Sequence, residues 1–140
     1  MGHGRTLAQR TCLLTFRGMH FALWIVQGLL AFAMVMAGAF KVVTPREKLA
    51  EKMHWARTWT DLNVKLLGLA EVLGGVGLIV PAVTGILPVL TPVAAVCLAI
   101  LMGGAVKTHV DLKEPAAPPT VLGALCLFVA VGRFALAPFG

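Results

Sequence analysis

Four long apolar runs, separated by short polar stretches, set the layout of this chain. They cover roughly residues 19–41, 62–80, 87–107 and 120–137, and each is close to the ~20 residues that cross a hydrocarbon core about 30 Å thick. None alternates with period two. A membrane-spanning backbone must also bond its own amides, which a helix does alone. The pattern therefore predicts an all-α integral membrane protein, a four-transmembrane-helix bundle forming one membrane domain over 1–140. Pro88, Pro92 and Pro119 fall at or before first turns, where a missing N–H is harmless. A cleaved signal peptide is the competing reading of the first run, since Arg5, Arg10 and Arg17 precede it. The run exceeds an h-region of roughly 7–15 residues, and helix character continues through Phe40 and Lys41, so it is read as a span.

The polar stretch between the first two runs is itself patterned. Thr44-Pro45-Arg46-Glu47 reads as a capping box with proline at the first helical position. Leu49, Met53 and Ala56 follow at helical spacing, and Trp55 and Trp59 are four apart. This predicts a short amphipathic interfacial helix over about 45–57, with both indoles at headgroup depth; a solvated helical hairpin is the alternative. Thr60 or Asp61 then caps the second span.

Composition agrees with the pattern: 59% of the 140 residues are hydrophobic and 13% charged, against about 25% charged in soluble domains. The net charge of +6 comes from basic residues in the gaps between runs, where they meet lipid headgroups, and nucleic acid is not expected as a partner. Lys41, Arg46, Lys48, Lys52, Arg57, Lys107 and Lys113 fall on one face, and Arg5, Arg10, Arg17 and Arg133 on the other. The plain count makes the first face cytoplasmic; the acid-free arginine tail argues the reverse.

Glu71 stands out because it lies near the middle of the second run, where a carboxylate costs a few kcal/mol. Gly68, Gly74 and Gly75 share its neighbourhood at helical spacing, so it is expected to face the bundle interior across closely approaching backbones. Gln27, Ala31, Met34, Gly38 and Lys41 form a 4-3-4-3 stripe on the first helix that would meet it. Lys41 and His109 end their runs on the same side of the membrane. Two readings follow: a polar pocket of Glu71, Lys41, His109 and Gln27 that binds a small ligand or moves a proton, or an interhelical pin that only locks packing. His20 and His54 are read as interfacial.

Other chemistries find little support. Cys12, Cys97 and Cys126 form no C-x-x-C, no His, Cys or carboxylate residues have metal-ligand spacing, and phosphate loops and nucleophile motifs are missing. No metal site and no catalytic residue is assigned.

Met36-Ala37-Gly38-Ala39-Phe40-Lys41, Gly68-Leu69-Ala70-Glu71-Val72-Leu73-Gly74 and Gly103-Gly104-Ala105-Val106-Lys107-Thr108-His109 together resemble the DoxX-like family. The resemblance covers nearly the whole chain and implies a compact four-helix membrane bundle in which Lys41, Glu71 and His109 are the polar positions. It also implies a setting in a bacterial cytoplasmic membrane. The family takes its name from a subunit of a quinone-linked thiosulfate oxidation system, and distant eukaryotic relatives are receptor-assembly chaperones or cargo receptors. Three expectations follow: a non-catalytic accessory or assembly protein for another membrane protein, a membrane subunit of a quinone-linked redox system, or a binder of lipid or a small apolar ligand. The residues identify no cofactor, and the resemblance allows quinone. The expected partners are the bilayer, another membrane protein and a second copy of the chain.

Overall fold

The computed structural model describes residues 6–136; Arg5 and the last residue of the fourth run, Ala137, lie outside the described residues. Those residues are helical apart from short connections, with no strand. The elements are α1 (Leu7–Val43), α2 (Arg46–Lys52), α3 (Trp55–Thr58), α4 (Asp61–Thr84), α5 (Leu90–Asp111) and α6 (Ala117–Val131), the last continued by a π-helical turn, Gly132–Leu136. Four of these helices, taking α6 with its π turn, are long and apolar enough to cross a membrane. The protein is thus an integral membrane protein. Its outward surface is rich in Phe, Leu, Ile and Val, as a lipid-facing surface requires.

The helix bounds differ from those of the apolar runs. α1 starts twelve residues earlier than expected, because Thr6 and Gln9 form a capping box at its N-terminus. At 1.5 Å per residue its 37 residues measure about 56 Å, well beyond a hydrocarbon core of about 30 Å. Described residues up to Gly18 are exposed. α4 runs through Pro81 and ends at Gly85, whose φ of 70° suits glycine. α5 begins at Leu90, which leaves Pro88 in the preceding turn and Pro92 in the first turn of the helix.

α1 and α4 pack most extensively against each other, α5 pairs with α6, and α4 joins the two pairs. The α1–α4 seam reads directly off the sequence spacing. Val64, Gly68, Glu71, Gly75 and Leu78 are buried on α4, opposite Gln27, Ala31, Met34 and Gly38 on α1, the heptad-like spacing of helices crossing at a shallow angle. Gly38 and Gly68 meet backbone to backbone: a Cβ added to Gly68 would stand 2.6 Å from the Gly38 carbonyl oxygen. Gly75 meets α1 as well, whereas Gly74 turns to Leu98 of α5. The main core gathers Leu30, Met34, Leu78, Ala95, Leu98, Met102, Cys126 and Val129 from all four long helices.

Between α1 and α4 the structure corrects two expectations. Thr44 closes α1, its N–H bonding Phe40 O at 3.0 Å, and α2 is capped by Pro45 with no side-chain bond, so the Thr44–Glu47 capping box does not form. The 45–57 helix is two helices, broken at Met53 and His54. Leu49 and Trp55 are six apart, on different faces of a single helix; the break lets both join Ala56 and Val64 in one small core. Trp55 is consequently 7% exposed, while Trp59 stands edge-on to it and is half-buried. Arg46 and Arg57 hold the broken segment together by donating to the carbonyls of Ala56, Arg57 and Ala50 at 2.9–3.2 Å. Thr60 caps α4 by accepting the Asn63 N–H at 3.2 Å.

Candidate functional site

Lys41 lies in the last turn of α1, where a cation suits the helix dipole, and Glu71 in the third turn of α4. Because Gly68 has no side chain, the Lys41 stem lies flat on α4: a Cβ on Gly68 would fall 2.9 Å from Lys41 Cβ. The ammonium donates to both carboxylate oxygens of Glu71, at 2.7 and 2.6 Å. The pair is nearly closed off, with the side chains 13% and 3% exposed. The Trp55 ring lies 6.0 Å from Lys41 Nζ, at the outer reach of a cation–π contact. Two of the ammonium's three protons are engaged, leaving one to offer.

This ion pair forms part of the wall of a cleft of about 980 Å³. Met34 and Ala37 continue the wall on α1, Leu67 on α4, Cys97, Leu101, Met102 and Ala105 on α5, and Pro119 and Leu122 on α6, with Met53, Trp55 and Trp59 contributed by the α2–α3 segment. The lining is mostly apolar, and its polar groups are few, the composition of a small-molecule site.

The rim owes its shape to the end of α5. Lys113 N–H bonds Val110 O and Glu114 N–H bonds His109 O, the paired bonds of a Schellman motif, so the chain doubles back and sets Glu114 beside His109. Glu114 Oε1 then lies 2.9 Å from His54 Nδ1 and Oε2 lies 3.3 Å from His109 Nδ1. The contact with His54 ties the α5–α6 connection to the α2–α3 segment across the rim. Lys113 occupies the position where glycine is usual, with φ of 57°.

Gln27 lies apart from this group. It is fourteen positions before Lys41, about 21 Å along the helix, and belongs to a second polar cluster. Its amide donates to Leu78 O of α4 and accepts from Arg133 Nε at 2.9 Å. Arg133 Nη1 is 2.9 Å from His20 Nδ1, its guanidinium carbon is 5.4 Å from the Trp24 ring centroid, and Trp24 donates to His20 at 3.2 Å. Arg133 is therefore a buried pin, 2% exposed, and not a headgroup-facing topology charge. The wide π turn re-aims it inward, and Gly132 beside it accommodates Leu23.

The structure thus brings Lys41 and Glu71 into contact, places His109 on the same cleft, and assigns Gln27 to the opposite end of the bundle. Sequence reasoning missed Glu114, Lys52 and Lys113 on the rim and the role of Arg133. The signal for Arg133 was present: a single charge inside an apolar run invites the argument applied to Glu71. The cysteines are separate thiols, and among the described residues no cluster of His, Cys, Asp and Glu could hold a metal.

No curated protein and no solved structure matches the chain. The sequence model of the DoxX-like family matches residues 25–131, from the first span through the end of α6, and includes Lys41, Glu71 and His109. The chain belongs to the DoxX-like family.

Proposed function

We propose that this protein binds a small amphipathic molecule of the bilayer in the cleft beside Lys41 and Glu71, without transforming it, and that it does so in a bacterial cytoplasmic membrane. The observation that carries the reading is the cleft itself. A wall of Met, Leu, Ala and Trp side chains accepts an apolar body, and the Lys41–Glu71 pair offers one oriented hydrogen-bonding patch to a polar end. A pin that only locked packing would need no such space. Lipids and quinones both have an apolar tail and an oxygen-bearing head, and the identity of the bound molecule separates a lipid holder from a quinone-linked redox subunit.

A second reading, an accessory protein for assembling another membrane protein, draws on a different observation. α1 is about 26 Å longer than the hydrocarbon core it crosses, and its first turns are exposed, presenting a helical arm to a partner.

The test exploits Gly104, which lines the cleft and has open space where a Cβ would stand. Gly104→Leu fills the cleft without touching the ion pair. The protein and this variant would be purified in mild detergent and their organic extracts compared by mass spectrometry. A near-stoichiometric amphiphile that is depleted in Gly104→Leu is the expected result. Extracts of the two proteins with the same small molecules in the same amounts would overturn the reading, and a stoichiometric membrane protein in their place would favour the assembly role.

A further inference from the structure

Two carboxylates line the cleft: Glu71, held by Lys41, and Glu114, whose oxygens lie 2.9 Å from His54 Nδ1 and 3.3 Å from His109 Nδ1. The cations are in excess. Lys52, at the end of α2, and Lys113, in the turn after α5, also line the cleft, and neither has a hydrogen bond or ion pair among the described residues. The other lysines and arginines of the 41–113 face contrast with them. Lys65 pairs with Asp61 and Lys107 with Asp111, while Arg46 and Arg57 are bound to backbone carbonyls; Lys48 does not line the cleft.

Their placement fits one class of occupant. Lys52 and Lys113 line the same cleft from two different elements, the end of α2 and the turn after α5, so the cleft offers an anionic group two ammonium donors. The segments carrying them connect membrane spans, which puts the rim at headgroup depth and the apolar wall beneath it at acyl-chain depth. Lysine ammonium is a compact charge that binds phosphate, and basic pockets between spans take up anionic headgroups. Lys113 also keeps a left-handed backbone that an L residue adopts at a cost and that glycine would adopt freely.

Building on the cleft-binding reading above, we infer that the occupant is a phosphate-headed anionic lipid of the surrounding leaflet, its head between Lys52 and Lys113 and its chain along the apolar wall. The bilayer supplies the ligand from its own plane. The Lys41–Glu71 pair lines the same cleft and meets the glycerol and ester oxygens next to the phosphate, so the whole polar end of the molecule is held.

The full chain in detergent would be incubated with lysophosphatidic acid, lysophosphatidylcholine or monoacylglycerol of one acyl chain, and with inorganic phosphate alone, and occupancy read by native mass spectrometry. The same measurements would be made on K52Q/K113Q and K52R/K113R. Both lysines are exposed, and unchanged thermal unfolding would show that the variants fold. The expected result is retention of lysophosphatidic acid over monoacylglycerol on the order of thirtyfold, lost in K52Q/K113Q and kept in K52R/K113R. Equal retention of the three lipids overturns the anionic inference and leaves the cleft reading standing; retention of none overturns both. A preference that survives K52Q/K113Q places the head elsewhere and overturns the assignment, and inorganic phosphate binding as tightly as the lipid overturns the lipid source.

Discussion

Arg133 donates its Nε proton to the Gln27 side chain at 2.9 Å, joining residues 106 positions apart in sequence. The same Gln27 holds the Leu78 carbonyl, so α1, α4 and the turn after α6 meet at one amide. Toward the other face, α1 and α4 stay together through Gly38, Gly68 and the Lys41–Glu71 pair, and the cleft opens between them and the α5–α6 pair. The bundle is fastened at one end and receptive at the other.

The ion pair should behave as a coupled unit. Removing one partner, as in Glu71→Leu or Lys41→Met, leaves a charge in an apolar wall and is expected to cost about 3–5 kcal/mol. The double variant Lys41→Met/Glu71→Leu should recover much of that loss. Equilibrium unfolding in mixed micelles measures it; additive losses would mean that the two side chains act independently.

Backbone contact at Gly38 and Gly68 leaves no room for a larger residue. Gly68→Val is expected to force α1 and α4 apart, at about 1–3 kcal/mol, and to pull Lys41 away from Glu71. Gly28→Val serves as a control, since nothing lies within 4 Å of a Cβ there. Equal loss in both would point to helix propensity and not to the seam.

At the fastened end, Gln27→Leu deletes both the acceptor for Arg133 and the donor to Leu78, with an expected cost of about 1–3 kcal/mol for each buried group affected. Arg133→Lys should not substitute, because a lysine cannot donate to Gln27 and approach His20 with the planar fork that arginine provides. Unfolding of both variants close to that of the native protein would show the cluster to be dispensable.

Lys113→Gly is expected to stabilise the fold by about 1 kcal/mol, because glycine adopts φ of 57° without the clash that an L residue suffers. The same change removes a rim cation. A raised unfolding midpoint accompanied by weaker retention of an anionic lipid is the combined outcome to look for, and a lowered midpoint would show that the lysine side chain is itself structural.

Much of the architecture was legible because the membrane imposes few choices. Uninterrupted apolar runs of the right length become spans, and the 4-3 spacing of Gln27, Ala31, Met34 and Gly38 marks the buried face of α1. Lys41 and Glu71 were visible as polar residues inside or at the edge of such runs. What escaped depended on chain reversal: Glu114 reaches His109 and His54 only because the Schellman turn folds residues 110–114 back on α5. The break at Met53 was equally hidden, since local periodicity favours a continuous helix and only the shared core under Leu49 and Trp55 ends it. Gln27 was assigned to the wrong cluster because a helical stripe tells which face a residue occupies, and not how far along the bundle its partner lies.

α1 is continuous from the Thr6 cap to Val43, and its contact with Arg133 falls between those ends. From Gln27 the helix extends about 24 Å toward Val43 and about 30 Å toward Leu7. The seam with α4 runs along the shorter of these stretches, from Gln27 to Lys41, and fixes it in the bundle. The stretch bearing Arg10 and Arg17 is exposed up to Gly18, so α1 is a post set in the bundle by its second half, with its first turns standing on the far side of the bilayer.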